Sequence, residues 1–112
     1  MEVQFLYSEN CPSHEEALNR LRNVLKEEGV NTEIGITEIK TEMQAEELHF
    51  AGSPTIIING QDIDSQPNLQ YGLTCRAYRL EDGRISQLPS IMMIRKAVRS
   101  AKTNGKMNKL HG

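Results

Sequence analysis

The chain has 112 residues, of which 38% are hydrophobic, enough for the core of one domain two layers thick but too few for two domains. No apolar run approaches the ~18 residues that suggest a membrane span. Glu2 followed by a strand-like run lacks the basic and apolar regions of a signal peptide, so we expect a cytoplasmic protein. In a reducing compartment, its two cysteines are more often reactive, metal-binding or buried thiols than a structural disulfide.

Charge is divided unevenly along the chain. Residues 1–64 hold 13 acidic and 4 basic side chains, whereas residues 65–112 hold 2 acidic and 9 basic ones. No acidic side chain follows Asp82, and the basic residues beyond it have no interleaved aromatic residues that would stack on bases. We interpret these basic residues as the solvated face of a C-terminal helix, where the helix dipole favours cations. We therefore expect no nucleic-acid partner and no membrane partner.

The first half of the chain alternates between strand and helix patterns. Residues 3–7 are rich in β-formers and predict a buried strand. From Pro12 to Glu28, apolar residues recur at spacings of three and four before a glycine, which predicts an amphipathic helix. Residues 31–39 alternate like a strand with one solvated face. Residues 41–44 have the form of a capping box, which predicts a short helix ending near Phe50.

The second half contains two hairpin patterns. Residues 53–58 are a β-branched run headed by proline, which is tolerated at the start of a strand. Asn59-Gly60 is a strong signal for a hairpin turn, with a short return strand that should begin near Gln61. Residues 75–80 alternate again, and this pattern predicts a second small hairpin that ends near Ile85.

The end of the chain is predicted to be helical and then flexible. Pro89-Ser90 should open a last helix, whose apolar stripe runs from Ile91 to Ala101. Residues 103–112 continue without a stripe to bury. We therefore expect a single domain, residues 1–102, followed by a flexible C-terminal tail.

The most informative stretch is Asn10-Cys11-Pro12-Ser13-His14, where the first strand gives way to the first helix. Pro12 suits the first helical position because its missing N–H would have had no partner within the helix. This places Cys11 at the N-cap, where backbone N–H groups and the helix dipole lower the pKa of a thiol. The alternative is a buried, inert thiol, since free cysteine is among the most buried residue types. The position of Cys11 beside Pro12 favours a reactive cysteine.

The predicted element order β-α-β-α-β-β-α resembles that of the thioredoxin/glutaredoxin family, and two motifs carry the resemblance. Cys11-Pro12-Ser13-His14 stands in the place of the family's C-x-x-C motif, and Gly52-Ser53-Pro54-Thr55 stands in the place of its cis-proline loop. The resemblance covers roughly residues 2–60 and 85–101. It implies an α/β, thioredoxin-like fold in which a central mixed β-sheet is flanked by helices.

The resemblance also implies the residues of a site. Cys11 would be the nucleophile of thiol–disulfide exchange, and the Ser53–Pro54 bond would be cis. Pro12, Ser53, Pro54 and Thr55 would contact a thiol substrate. The implied partner is a thiol- or disulfide-bearing protein or small molecule, with no cofactor other than glutathione or another thiol as co-substrate.

His14 departs from the family's pattern, because it occupies the position of the second, resolving cysteine. It could donate a hydrogen bond to a Cys11 thiolate or pair with it when protonated, or it could equally point to solvent. A mixed disulfide at Cys11 would then be resolved by glutathione, by another thiol or by Cys75. Small bacterial thioredoxin-like proteins look similar in having a second cysteine in a comparable late segment.

Two placements of Cys75 follow from the strand patterns. If residues 75–80 pair directly with the third strand, the two sulfurs lie well over ~10 Å apart, which excludes a disulfide. If residues 61–64 form the return strand, the loop 65–74 can deliver Cys75 beside Cys11. The Asn59-Gly60 turn favours the second placement, and packing of Cys75 in an extra strand remains the alternative.

The residues are consistent with two classes of function. The first is a thiol–disulfide oxidoreductase, with Cys11, Cys75 and His14 as catalytic residues. The second is a thioredoxin-like module that binds a protein, or holds a soft metal or an organomercurial through Cys11, His14 and Cys75. An organomercurial lyase is a third, weaker hypothesis, since no residue is assigned as its proton donor. No zinc site is expected, because His49 and His111 lack the paired spacing of zinc ligands.

Overall fold

The sheet at the centre of the protein contains parallel and antiparallel strands. The computed structural model describes the backbone of residues 1–11 and 13–111 and the side chains of residues 1–11 and 13–103. Four strands make up this sheet: β1 (Val3–Tyr7), β2 (Ile34–Glu38), β3 (Thr55–Ile58) and β4 (Gln61–Asp62). Their order is β2-β1-β3-β4, with β1 parallel to β2, and with β1–β3 and β3–β4 antiparallel.

The turn between β3 and β4 is the hairpin predicted at Asn59-Gly60. Both residues have positive φ, 52° at Asn59 and 81° at Gly60, the conformation that suits a two-residue hairpin and that Asn-Gly adopts at little cost. The return strand begins at Gln61, as predicted. The hairpin directs the chain back toward the end of β1, where the first helix begins.

Helices cover both faces of this sheet. They are α1 (His14–Glu27), α2 (Glu42–Glu47) and α3 (Ile91–His111). On one face, α1 and α3 pack on alternate residues of the central strands, a cluster that contains Val3, Phe5, Leu21, Ile56, Ile94 and Val98. On the other face, Leu6 and Ile57 pack with Ala45 of α2 and with Ile39 and Phe50. The protein is therefore α/β, with a mixed sheet flanked by helices.

A small second sheet lies between β4 and α3 in the chain. It consists of β5 (Tyr78–Arg79) and β6 (Ile85–Ser86), which pair antiparallel. Gly83, with φ of 88°, lies in the connecting turn. The predicted second hairpin near Ile85 is confirmed.

The start of α1 differs from the sequence prediction. The helix begins at His14 with Ser13 as its N-cap, so the expectation that Cys11 is the N-cap was wrong. The cysteine lies in a turn before the helix, since its N–H donates to the carbonyl of Ser8 (3.1 Å). Pro12, expected at the first helical position and in contact with substrate, lies outside the described residues.

The acidic and basic halves of the chain meet between α1 and α3. Arg95 and Arg99 bind the carboxylate of Glu28, and the ammonium group of Lys102 binds its carbonyl oxygen at 2.7 Å. Arg95 also contacts Glu27 at 2.6 Å. The hydrogen bond from Arg99 is the main cause that lowers the pKa of Glu28. Part of the basic stripe after Asp82 is therefore paired with the C-terminal end of α1.

The last helix is longer than its apolar stripe. Its backbone stays helical to His111, because residues 103–111 contain no proline and their single glycine opposes a helix by only about 1 kcal/mol. The helix therefore includes most of the segment 103–112 for which we expected a flexible tail; the flexibility itself stays a prediction. Among the described residues, no helix combines the length and the apolar character needed to cross a bilayer.

The contact between α3 and the sheet can be tested at Ile94, which is fully buried. Ile94→Ala should lower the free energy of unfolding by about 2–5 kcal/mol, because it leaves a cavity in the cluster between α1, α3 and the sheet. Met92→Ala is the control, since Met92 lies on the same helix and is 61% exposed. The control should stay within about 0.5 kcal/mol of the wild type in urea unfolding. Equal losses in the two variants would contradict this packing.

Candidate functional site

The two cysteines of the chain are joined in a disulfide bond. Cys11 and Cys75 are 64 residues apart in sequence, and their Cα atoms are 5.9 Å apart, within the usual range for a disulfide. The second placement considered for Cys75 is therefore the one observed. The β3–β4 hairpin returns the chain, and the following loop brings Cys75 to the turn that carries Cys11.

Ser53 connects the segments that carry the two cysteines. Its hydroxyl accepts a hydrogen bond from the N–H of Ser8 (2.9 Å) and donates to the Ser8 carbonyl (3.4 Å). That carbonyl also accepts from the N–H of Cys11. On its other side, Ser53 donates its N–H to Thr74 (2.8 Å), and its carbonyl accepts from the N–H of Arg76 (2.9 Å). One buried residue thus fixes the backbone on both sides of the disulfide.

Gly52 allows the backbone of Cys75 and Arg76 to lie against the backbone of the Ser53 loop. A Cβ atom at Gly52 would lie 2.9 Å from the nitrogen of Arg76 and 3.1 Å from the carbonyl carbon of Cys75, both backbone atoms. Its φ of +121° is also one that side-chain-bearing residues rarely adopt. The contact between the two backbones therefore requires glycine at this position.

The side chain of Arg76, the residue after Cys75, is buried and held by hydrogen bonds. It is only 3% exposed and binds both carboxylate oxygens of Asp62, at 2.8 and 2.9 Å. It also donates to the hydroxyl of Thr55 (3.1 Å) and the carbonyl of Asp64 (3.0 Å). This paired, bidentate geometry is the arrangement in which a buried guanidinium is tolerated. Arg76 thereby ties the residue after Cys75 to β3 and β4.

Tyr78 completes this buried network. Its ring lies 4.8 Å from the guanidinium carbon of Arg76, and its hydroxyl donates to the carbonyl of Pro54 (2.6 Å). Burial raises the pKa of the Tyr78 hydroxyl, and the charge of Arg76 offsets only part of that effect. Burial also opposes the charge of Arg76, but the hydrogen bond with Asp62 and nearby negative charges raise the pKa of Arg76 overall. Arg76 therefore stays charged and Tyr78 neutral at physiological pH.

The two cysteines differ in their access to solvent. Cys11 is 2% exposed, whereas Cys75 is exposed. Thr74 and Ala77 are exposed as well, whereas Arg76, directly after Cys75, is buried. The disulfide therefore presents its Cys75 side to solvent and its Cys11 side to the protein interior.

His14 lies beside Cys11 but contacts its backbone. The ring stacks on Tyr7 with 4.5 Å between centroids, and Nδ1 donates to the carbonyl oxygen of Cys11 (3.1 Å). A carbonyl oxygen only accepts hydrogen bonds, which assigns the proton to Nδ1. His14 is thus held in place by two contacts, and its expected catalytic role stays a prediction.

The residues expected to contact substrate form part of the scaffold around the disulfide. The Ser53–Pro54 peptide bond is cis, the conformation that the family resemblance implies. The polar groups of Ser53 are bonded to residues 8, 74 and 76, the carbonyl of Pro54 accepts from Tyr78, and the hydroxyl of Thr55 donates to Gly52 (2.6 Å). Binding of substrate by Ser53, Pro54 and Thr55 stays a prediction.

Sequence patterns did not identify Asp62, Arg76 and Tyr78 as parts of the site. Arg76 falls in an alternating run, where an arginine is expected to face solvent. One signal was available, because Asp62 follows the hairpin turn and Arg76 follows Cys75, so a hairpin that returns toward Cys11 brings opposite charges together.

No group of three or more histidine, cysteine or acidic side chains is arranged to hold a metal ion within the described residues.

The close contact between the backbones at Gly52 and Arg76 can be tested with a matched control. Gly83→Ala places a side chain at positive φ in open space and should cost about 1–3 kcal/mol of stability from backbone strain alone. Gly52→Ala should cost a further 1–3 kcal/mol or so, because its Cβ overlaps the backbone at Arg76. Only Gly52→Ala should also lower the fraction of disulfide at a fixed glutathione ratio, measured by intact mass after alkylation. An unchanged disulfide fraction in Gly52→Ala would contradict this role.

Comparison with known families places the site inside a described domain. Residues 8–98 match the family described as Domain of unknown function (DUF2703), and the match includes both cysteines, the Ser53 loop and Arg76. No curated protein and no solved structure matches the chain. Because the match spans most of the sequence, the chain belongs to the DUF2703 family.

Proposed function

We propose that this protein is a thiol–disulfide oxidoreductase in which Cys11 and Cys75 alternate between a disulfide and a dithiol. The observation that carries the proposal is the Cys11–Cys75 disulfide, held by a buried hydrogen-bond network on both sides. A thiol pair held in this way has a high effective concentration, which favours reversible closure of the bond. Cys75 thus supplies the second thiol that is absent from position 14.

We also propose that the fold is thioredoxin-like. The support is the mixed sheet with order β2-β1-β3-β4 and helices on both faces. Cys11 lies in the turn between the end of β1 and the start of α1. The departure is the location of the second cysteine beyond β4 instead of in α1.

The proposed reaction transfers two electrons between thiols. In the reducing direction, the protein dithiol gives up two protons and two electrons, the disulfide of the substrate becomes two thiols, and the Cys11–Cys75 bond forms. Glutathione or another small thiol then restores the dithiol and leaves as a disulfide. We place this cycle in the cytoplasm, where protein disulfides are usually transient and catalytic.

A competing interpretation is that the cysteines serve only stability or binding. A structural disulfide would resist physiological glutathione ratios. A binding module would hold a soft metal or an organomercurial between the two thiolates without turnover. Both differ from the proposal in one measurable respect, since neither requires the disulfide to open and close while substrate is consumed.

The proposal predicts catalytic turnover that depends on both cysteines. With glutathione as the reductant, the wild type should reduce the intramolecular disulfide of a small peptide. Cys11→Ser and Cys75→Ser should each lower the turnover rate at least about tenfold, because the mixed disulfide formed at the remaining cysteine has no second protein thiol to resolve it. Ser100→Ala, an exposed substitution on α3, is the control and should keep the wild-type rate. Wild-type turnover in Cys11→Ser would exclude the dithiol cycle.

The buried ion pair predicts a shift in the redox equilibrium. In Asp62→Asn, Arg76 loses its charged partner, so the segment of Cys75 is held less firmly once the disulfide opens. The disulfide should then become easier to reduce, by about tenfold in its equilibrium constant with glutathione, or roughly 30 mV.

Asp64→Asn is the matched control for this shift. It removes the same charge two residues away, but Asp64 binds Arg76 through its backbone carbonyl, and its carboxylate binds Gln66. Its equilibrium constant should stay within about twofold of the wild type, since a partly exposed charge contributes little. The equilibrium is read from intact mass after alkylation over a series of glutathione ratios. Equal shifts in both variants would show that charge, and not the anchoring of Arg76, is responsible.

A further inference from the structure

The two cysteines of the disulfide are not equally exposed to solvent. In thiol–disulfide exchange, the incoming thiolate approaches along the S–S axis, from the side opposite the leaving sulfur, so the outcome depends on which sulfur is accessible. Cys75 is exposed, and Cys11 is 2% exposed. Attack on Cys75 therefore comes from solvent, whereas attack on Cys11 requires a path through the interior.

The backbone of Cys11 is held by groups that are themselves fixed in the fold. Ser8, whose carbonyl binds the N–H of Cys11, is 4% exposed, and Ser53 behind it is fully buried. The ring of His14 is fixed between Tyr7 and the carbonyl of Cys11. These groups belong to the end of β1, the start of α1 and the loop before β3, so the backbone of Cys11 is tied to the central strands of the sheet and to the first helix.

The backbone N–H and carbonyl of Ser53 give a second reason to place the exchange with an external thiol at Cys75. Both of them are bonded to Thr74 and Arg76, on either side of Cys75. An extended peptide therefore cannot pair with Ser53 while this segment is in place. The exposed side of Cys75 stays open to a small thiol or to a cysteine on a flexible, exposed segment.

Resting on the proposed function, we propose that Cys75 is the sulfur that exchanges with the external thiol and that Cys11 is the leaving and resolving thiol. This reverses the roles implied by the family resemblance, which makes Cys11 the nucleophile. The favoured substrates are small thiols and disulfides of the glutathione class.

The reaction balances as follows in the direction of protein reduction. A glutathione thiolate attacks the sulfur of Cys75, the Cys75–Cys11 bond breaks, and its electron pair leaves on Cys11 as a thiolate. A second glutathione thiolate attacks the glutathione sulfur of the mixed disulfide, and oxidised glutathione leaves. The two protons released by the glutathione thiols end on Cys75 and Cys11, so two thiols are oxidised and one disulfide is reduced.

The position of Cys11 suits a leaving thiolate. It lies three residues before the first residue of α1, and the hydroxyl of its N-cap, Ser13, makes no capping hydrogen bond. The dipole at this end of the helix offsets part of the cost that burial imposes on a Cys11 thiolate. Glu15 and Glu16 oppose it, but both are exposed and screened by solvent.

The first test uses the reduced wild type and needs no variant to fold. Limiting iodoacetamide is added, the reaction is quenched with acid, and labelled peptides are quantified by mass spectrometry. Cys75 should carry at least about ten times more label than Cys11, because Cys75 is exposed to solvent and Cys11 is buried. Equal labelling, or more label on Cys11, would overturn the assignment.

The second test measures exchange with oxidised glutathione directly. Reduced Cys11→Ser, which retains Cys75, should form a glutathione adduct at least about tenfold faster than Cys75→Ser, which retains Cys11. If Cys75→Ser forms the adduct faster than Cys11→Ser while glutathione still reduces the wild-type disulfide, the proposed role of Cys75 is overturned. The proposed function would then still stand. A wild-type disulfide that glutathione does not reduce at any ratio would overturn both.

Discussion

The geometry of the site depends on the burial of Arg76. A guanidinium that is 3% exposed is stable only if its charge is paired and its N–H groups are bonded, and Asp62, Asp64 and Thr55 meet both conditions. These partners lie on β3, on β4 and just beyond β4, so Arg76 cannot move away from the sheet without leaving a buried charge unpaired. Cys75 precedes it in the chain and is therefore fixed in front of Cys11. The ion pair between Arg76 and Asp62 thus acts together with the backbone hydrogen bonds of Ser53 to fix the second cysteine.

The features that depend on local pattern could be predicted from the sequence. The four strands of the main sheet, the three helices and the Asn59-Gly60 hairpin each have a recognisable periodicity or turn, and the hairpin was enough to favour a position of Cys75 beside Cys11. The N-cap was misplaced by two residues, because a proline after Cys11 indicates that a helix is near but not the residue at which it begins.

The features that depend on tertiary contacts could not be predicted. Arg76 alternates with apolar residues as a solvent-facing residue would, and its burial depends on partners distant in sequence, among them Asp62, which lies 14 positions earlier. The exposure of Cys75 and the burial of Cys11 depend on the path of the loop between residues 62 and 75, which has no periodicity. The same holds for Gly52, whose sequence context indicates a loop between a short helix and β3, while the structure shows a contact between two backbones.

The proposed redox cycle is coupled to the stability of the fold. A disulfide between residues 64 positions apart lowers the entropy of the unfolded chain, an effect of about 4 kcal/mol in the chain-entropy model. In a thermodynamic cycle, the amount by which the disulfide stabilises the folded protein equals the amount by which folding favours the disulfide over the dithiol. The network of Ser53, Arg76 and Asp62 holds the two thiols together after reduction. It therefore affects both the stability that the disulfide adds to the fold and the preference of the folded protein for the disulfide. The better the reduced site keeps its geometry, the more strongly folding favours the disulfide and the more strongly reducing the dithiol becomes.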